Sequence, residues 1–325
     1  MSDGLGWHEA FLRGSAAAED ELFNQFQSDI NRLQEFAAAG GVVHRGFHAK
    51  TIAGIPDATF IVEPSIPQSL QFGFFQPGKS YPTIVRFSNS ISEIKPDRER
   101  QGRGIAIRIS SDGQFHDLLL SNSPASHARD AIQFMAVASA LANRSRIRFL
   151  IELIRRVGFF ETVRMLFVLF KSSGKISSVA TETYWSRTAY AFGDSAARFV
   201  LKPVFQLKSQ AAPLSEDLHE ELRARLLVNV VEFVLFAQLY VNDASTPIED
   251  GSVTWKETDA PPIPIGRLIL PVQDLNSPSV ADFEKQLEKF EFNPWNTQGN
   301  IRPLGSLNRA RRVVYQASAN RRNRD

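Results

Sequence analysis

The 325-residue chain contains no cysteine. That absence excludes disulfides, thiolate nucleophiles and thiolate metal ligands together. It also lacks a dominant charge: 37 Lys and Arg against 35 Asp and Glu leave +2. So small an excess does not draw a polyanion over the whole surface, and nucleic acid is not expected as a partner. Long apolar runs are missing too. The most apolar stretch, Ile147 to Phe170, is interrupted by Arg148, Glu152, Arg155, Arg156, Glu161 and Arg164, whereas a bilayer-spanning helix needs about 20 apolar residues. Neither HExxH nor GxSxG occurs, which removes the zinc-hydrolase and nucleophile-elbow readings. The opening MSDGLGWHEAFLRG has no basic start followed by an apolar core. No secretory signal is therefore visible, and a cytoplasmic location is expected.

What remains is ordinary globular material, 43% hydrophobic and 22% charged, with enough apolar surface for one large domain or two. Between Ala18 and Ala39 the residues Leu22, Phe23, Phe26, Ile30, Leu33 and Phe36 recur at three- and four-residue steps, predicting an amphipathic helix closed by Gly40-Gly41. Residues 42 to 120 read as short strands, Thr59 to Val62, Thr83 to Ser88 and Gly104 to Ile109, between turn-forming residues. A helical pattern runs from Ala128 to about Lys171, and Leu214 to Val241 reads as a long helix entering a β-branched strand. Ser172 to Leu207 is mixed. An apolar strand follows at Arg267 to Val272 and helical spacing at Val280 to Phe290. A β block with helices segregated around it predicts an α+β fold rather than alternating βαβ units.

Single polar residues say little. His44 and His48 are four apart but precede a strand, where that spacing has no meaning, and Gly102-Arg103-Gly104 reads as a turn before a phosphate cradle. Arg309, Arg311, Arg312, Arg321, Arg322 and Arg324 taken alone read as a solvated basic tail.

The order of several strings is more informative. Arg45-Gly46-Phe47-His48-Ala49-Lys50, Val85-Arg86-Phe87-Ser88 and the run DRERQGRGIA from Asp97 to Ala106 come first. Asp117-Leu118 with Asn122-Ser123-Pro124, Arg129-Asp130 with Phe134, and Ile263 to Leu270 follow, and then Phe292-Asn293-Pro294 and Arg311-Arg312-Val313-Val314-Tyr315. In this order they resemble the conserved strings of the haem catalases, over roughly residues 42 to 322. The resemblance implies an antiparallel β-barrel core with surrounding helices, here without the C-terminal helical domain of full-size members. It divides the chain into a helical arm, 1–41, and a haem-binding domain, 42–325. Haem b is the implied cofactor, peroxide the substrate and a small molecule the electron donor.

The resemblance also assigns roles. His48 becomes the distal acid and base, oriented by Ser88, and Phe134 lies on the haem. Arg45, Arg86 and Arg322 hold the propionates, for which guanidiniums suit carboxylates by paired hydrogen bonds. Tyr315 becomes the iron ligand, with Arg311 beside it. Helical geometry agrees with the last pair, because positions four apart share a face and a guanidinium next to a phenol favours phenolate. Arg322, seven residues after Tyr315, returns to that same face two turns on; the remaining tail arginines are expected to be solvated. A gapless match puts Ser121 where the family has its distal asparagine, while a shift of one residue restores Asn122, so both stay candidates. Phe47, Ser126 and His127 also depart from the family's distal pocket.

Three readings stay open: a haem peroxidase or small catalase, a fatty-acid hydroperoxide isomerase resembling the catalase-related allene oxide synthases, and a non-catalytic haem-binding module. A homo-oligomer and a contact of the 147–170 segment with lipid or a membrane surface are left open as well.

Overall fold

The structure, a computed structural model, describes residues 6–38, 41–141, 145–204 and 217–322. Ten strands occur in chain order: β1 (Thr51–Val62), β2 (Ser80–Asn89), β3 (Arg103–Ser111), β4 (Gln114–Ser121), β5 (Tyr184–Trp185), β6 (Tyr190–Phe192), β7 (Ser195–Pro203), β8 (Val231–Leu239), β9 (Ile263–Leu270) and β10 (Ile301–Pro303). Eight of them, in the order β1-β2-β3-β4-β5-β7-β8-β9, pair antiparallel, and β9 returns to β1 to close a barrel. β6 and β10 extend from its β7 side. Closure leaves these eight strands no long unpaired edge. This is the antiparallel barrel of the α+β class expected from the sequence.

Period-two alternation explains why these segments became strands. On β8, Val231, Phe233, Leu235 and Ala237 enter the main core, and on β7 Ala197, Phe199 and Leu201 do the same. Phe60, Phe75, Phe87 and Tyr184 join them, each at most 1% exposed. Each such ring contributes about 2–3 kcal/mol by leaving water. β3 and β4 are joined through Asp112 and Gly113, both at positive φ, as a two-residue hairpin turn requires.

The helices lie outside the barrel. α1 (Ala16–Ala38) turns Leu22, Phe23, Ile30 and Leu33 onto Ala131 and Met135 of α2 (Ala131–Leu141) and onto Ala310 and Val314 of α7 (Gly305–Arg322). Gly40, expected to close the first helix, lies outside the described residues. The helical pattern expected from Ala128 to about Lys171 forms three helices, α2, α3 (Arg146–Val157) and α4 (Phe159–Ser172). Ser145 caps α3 by accepting from the Arg148 N–H, and Gly158 breaks the run at φ 85° and ψ 164°, a conformation close to glycine-only.

Two further expectations change. The long helix expected from Leu214 shrinks to α5 (Leu218–Leu226), with 214–216 outside the described residues, because the β-branched run after it extends into the barrel wall. α6 (Pro278–Leu287) packs beside β1. The tail is α7, in which Arg309 meets Glu9, Glu19 and Glu249 and Arg321 pairs with Glu35, whereas Arg312 is exposed over the Trp295 ring. Arg324 lies outside the described residues.

Candidate functional site

All ten residues singled out in the sequence, Arg45, His48, Arg86, Ser88, Ser121, Asn122, Phe134, Arg311, Tyr315 and Arg322, line one cavity of about 390 Å³ on the outside of the barrel. That volume falls in the usual range for cofactor pockets. One wall is the outward face of β2, β3 and β4. Their register sets Ser88 against Gly104 and Gly104 against Ser121, so three small residues form a row across the strands.

His48 stands over that row. Its Nδ1 lies 3.1 Å from Ser88 Oγ, and a Cβ built on Gly104 would come within 2.6 Å of the imidazole Cε1 and Nδ1. Glycine is therefore needed where the ring approaches the sheet. The Ser88 hydroxyl donates to the Gly104 carbonyl at 3.5 Å, so its oxygen accepts from Nδ1–H and Nε2 keeps its lone pair. His48 itself adopts φ +57°, held there by Arg86, whose Nη2 donates to the His48 carbonyl at 2.8 Å and whose Nε donates to Thr51 Oγ1 at 2.8 Å. Burial, reinforced by the Arg187 and Arg86 charges, pushes the imidazole pKa down to about 3.

At one end of the cavity Arg86, Arg45 and Arg322 converge. Burial and then the neighbouring Arg45 hold Arg86 well below the usual arginine range, and the same two causes push Arg322 down to about 10. The nearby acid, Glu288, is shared: it pairs with Arg45, accepts from Thr51 and lies 3.8 Å from Arg86. Arg322 Nε is buried without a hydrogen-bond partner among the described residues. Three crowded guanidiniums face Glu288 and, beside Arg322, Glu291, which leaves an excess of positive charge able to receive a further anion.

The opposite wall comes from α7. Arg311 Nη2 donates to the Tyr315 hydroxyl at 3.0 Å and its Nη1 to Asn308 Oδ1 at 3.1 Å. Asn308 is wholly buried; its amide donates to the Ala189 carbonyl at 2.9 Å and its Oδ1 also accepts from Thr188 Oγ1 at 3.1 Å. These bonds fix the rotamer of Arg311, which in turn aims at the phenol oxygen. Contacts with Tyr315 and Tyr190 raise the Arg311 pKa although burial opposes it. Phe134 completes the pocket from α2, packing edge-on to Phe47 at 5.4 Å and tilted on His127 at 5.3 Å.

The two candidates for the family's distal amide are placed differently. Ser121 belongs to the Ser88–Gly104 row. Asn122 also borders the cavity, but its Oδ1 accepts from the Arg103 N–H at 2.7 Å and its Nδ2 donates to Glu182 at 3.0 Å.

Sequence reasoning missed Arg187, Glu288 and Asn308. Arg187 lines the cavity at φ +58°, and no hydrogen-bond or ion-pair partner faces it among the described residues. Burial, with Arg311 nearby, pushes it down to about 10. Four non-glycine residues among those described have positive φ, and two of them, His48 and Arg187, border this cavity. Such backbone costs about 1–3 kcal/mol and collects at functional sites. Asn308 carried a signal that was legible: it precedes Arg311 by three, one helical turn.

The donor set fits haem. The arginine receptor with its orphaned Arg322 Nε suits two propionates, and the Tyr315 oxygen, backed by Arg311, suits ferric iron. Phe134 and Val314 supply apolar surface for a flat ring.

A family model described as Catalase matches residues 22–323. Catalase isozyme A of rice (Oryza sativa) is 29% identical over 245 residues, covering 67% of this chain and 48% of the rice protein. The catalase of Soldanella alpina is 28% identical over 250 residues with the same coverage. The chain thus spans about half the length of the curated relatives it matches. Among solved structures, catalase A of Saccharomyces cerevisiae superimposes with a TM-score of 0.68 at 16% identity, over 87% of this chain and 62% of that one. A bacterial catalase gives 0.66 at 19% identity, over 87% and 58%.

Proposed function

This chain belongs to the catalase family, and from that premise we propose that it binds haem b in the cavity and reduces hydrogen peroxide or organic hydroperoxides with a small-molecule electron donor. The observation that carries the reading is the convergence of the ten residues on one cavity, with His48 bonded to Ser88 on one wall and Tyr315 to Arg311 on another. Haem, when bound, supplies an iron centre able to accept oxygen from a peroxide.

The chain's own part is proton handling and placement. With Nδ1 engaged by Ser88, His48 Nε2 would take the proton from the peroxide oxygen that binds and return it to the oxygen that departs, so that the O–O bond breaks heterolytically and water, or the alcohol of an organic hydroperoxide, leaves. A pKa pushed down to about 3 keeps the imidazole neutral at physiological pH, so Nε2 has its lone pair free, but it makes the ring a weak base for the first transfer. It also makes the protonated ring a strong acid for the second transfer. The propionates would offset part of the Arg86 field that depresses it. Ser121, in the row beneath His48, is assigned the hydroxyl that holds the peroxide, because the bonds to Arg103 and Glu182 fix the Asn122 amide and leave it only one N–H to offer.

Turnover of the haem-loaded protein tests the reading. Donor oxidation by cumene hydroperoxide with kcat/KM at least equal to that for hydrogen peroxide disproportionation supports a peroxidase, and vigorous oxygen release with little donor oxidation makes it a small catalase. Donor-independent loss of a fatty-acid hydroperoxide would assign an isomerase instead. Tyr315→Phe should lose the native iron spectrum, and an unchanged spectrum would refute the ligand assignment. Ser121→Ala should weaken peroxide binding where Asn122→Ala does not.

A further inference from the structure

The α3–α4 hairpin carries apolar side chains on two sides. On the inner side Leu153 and Met165 are wholly buried in a cluster with Ala136 and Val137 of α2. On the outer side Ile147 and Ile151 of α3 and Phe160, Phe167 and Phe170 of α4 stand in water, Phe160 at 86% exposure. Ile147, Leu150, Ile151 and Ile154 are spaced i, i+3, i+4 and i+7, so the outer stripe is as regular as a core-facing one. Of the twenty large apolar side chains exposed among the described residues, nine fall between 147 and 170. A single exposed apolar residue needs no account, but a contiguous patch does.

Charge identifies the occupant. Between 145 and 175 the chain has seven basic and two acidic side chains, although the whole chain nets only +2. Both acids are already paired internally, Glu152 with Arg156 at 2.6 Å and Glu161 with Arg164 at 2.8 Å. Arg148 and Arg155 flank the outer stripe of α3. With twelve and fourteen residues the helices are too short to cross a bilayer. Apolar aromatic stripes rimmed by unpaired cations are the pattern of helices that lie in a membrane interface. An isologous pairing of two copies would set two such basic rims against each other.

We propose that the outer face of α3 and α4 docks the protein flat on an anionic lipid bilayer. Leu169 and Ser172, in the last turn of α4, also line the cavity, so the docked face adjoins the cavity wall. Docking stands apart from the peroxide reading, because it needs no bound haem.

Flotation of the purified full chain with phosphatidylcholine vesicles and with equimolar phosphatidylcholine and phosphatidylglycerol tests this. Binding is expected with the anionic vesicles and should weaken in high salt. Both the Phe160→Ser/Phe167→Ser pair and the Arg148→Glu/Arg155→Glu pair should bind roughly tenfold less well at unchanged Tm. Absence of flotation with anionic vesicles, or equal flotation of both variants, would overturn the proposal. A wild-type dimer in sedimentation equilibrium that Phe160→Ser/Phe167→Ser disperses would give the face to a second copy instead.

Discussion

Along β2, β3 and β4 the side chains that enter the barrel are Val85, Phe87, Ile105, Ile107, Leu118 and Leu120, whereas those on the opposite face are Arg86, Ser88, Gly104, Ala106, Leu119 and Ser121. The backbone ladder is common to both. The inner face is large and apolar, and each ring or branched chain there removes its own surface from water. Apart from Leu119, which packs with Ala106 and Phe292, the outer face is small or charged, and its residues matter through what they leave room for and what they hold. Ser88 and Gly104 contribute little to the core but set the position of an imidazole. One sheet thus separates the groups that stabilise the fold from the groups that line the cavity, and substitutions on its two faces should fail in different ways.

The largest effect is expected inside. Phe87→Ala should lower the unfolding free energy by about 3–5 kcal/mol in chemical denaturation, because a wholly buried ring leaves a cavity. If the protein lost less than about 1 kcal/mol, the inner face would not be the source of stability. On the outer face His48→Ala should leave the fold intact and slow peroxide cleavage roughly 10²–10⁴-fold in single-turnover mixing. An undiminished rate would make His48 structural. Gly104→Ala comes next: its new methyl must displace the His48 ring from Ser88, so at least about tenfold loss in the same measurement is expected at near-normal stability.

The smallest effect sharpens the comparison, because the inner face also holds a histidine. His116 is wholly buried against Phe74 at 4.9 Å, with neither ring nitrogen hydrogen-bonded. Burial pushes its pKa down to about 3. As pH falls below about 6.5 the unfolded chain takes up a proton that the folded chain refuses, so stability present above that pH erodes toward pH 3. Each such group contributes a slope of at most about 1.4 kcal/mol per pH unit. His48 and His127, also at about 3, add to it. His116→Leu should flatten the fall in Tm between pH 6 and 4 by about one proton's share, and an unchanged slope would refute this account.

Much of the fold was legible where period and packing agree. The first helix, expected over 18–39, runs over 16–38, and the three early strands are present but longer than their apolar centres, because ladder hydrogen bonds extend past the residues that pack. The helix-then-strand expected from 214 to 241 is present, but the helix is shorter, because apolar content alone does not mark where a helix gives way to the strand that follows it, and burial alternation decides. At the site, His48, Arg86, Ser88, Arg311 and Tyr315 were legible as ordered strings. Arg187 was not, since one arginine in a mixed segment carries no pattern. Glu288 was not either, because its partners Arg45 and Thr51 are more than 230 residues away in the chain.

The sequence by itself determined which faces are apolar, which residue types could handle a proton or hold an anion, and that their order resembles one family. Those properties follow from side-chain chemistry and from periods of 2 and 3.6 residues. Only the tertiary structure decided that the outer face of β2 to β4, the end of α2 and one side of α7 meet at a single cavity. Barrel closure of β9 onto β1 and the packing of α1 against α7 bring positions near 45, 130 and 315 together. The same packing decided that Arg309 and Arg321 would pair rather than be solvated, and that the outer stripe of α3 and α4 would face water. Long-range contact is set by how all the apolar faces are buried at once, which no local pattern encodes.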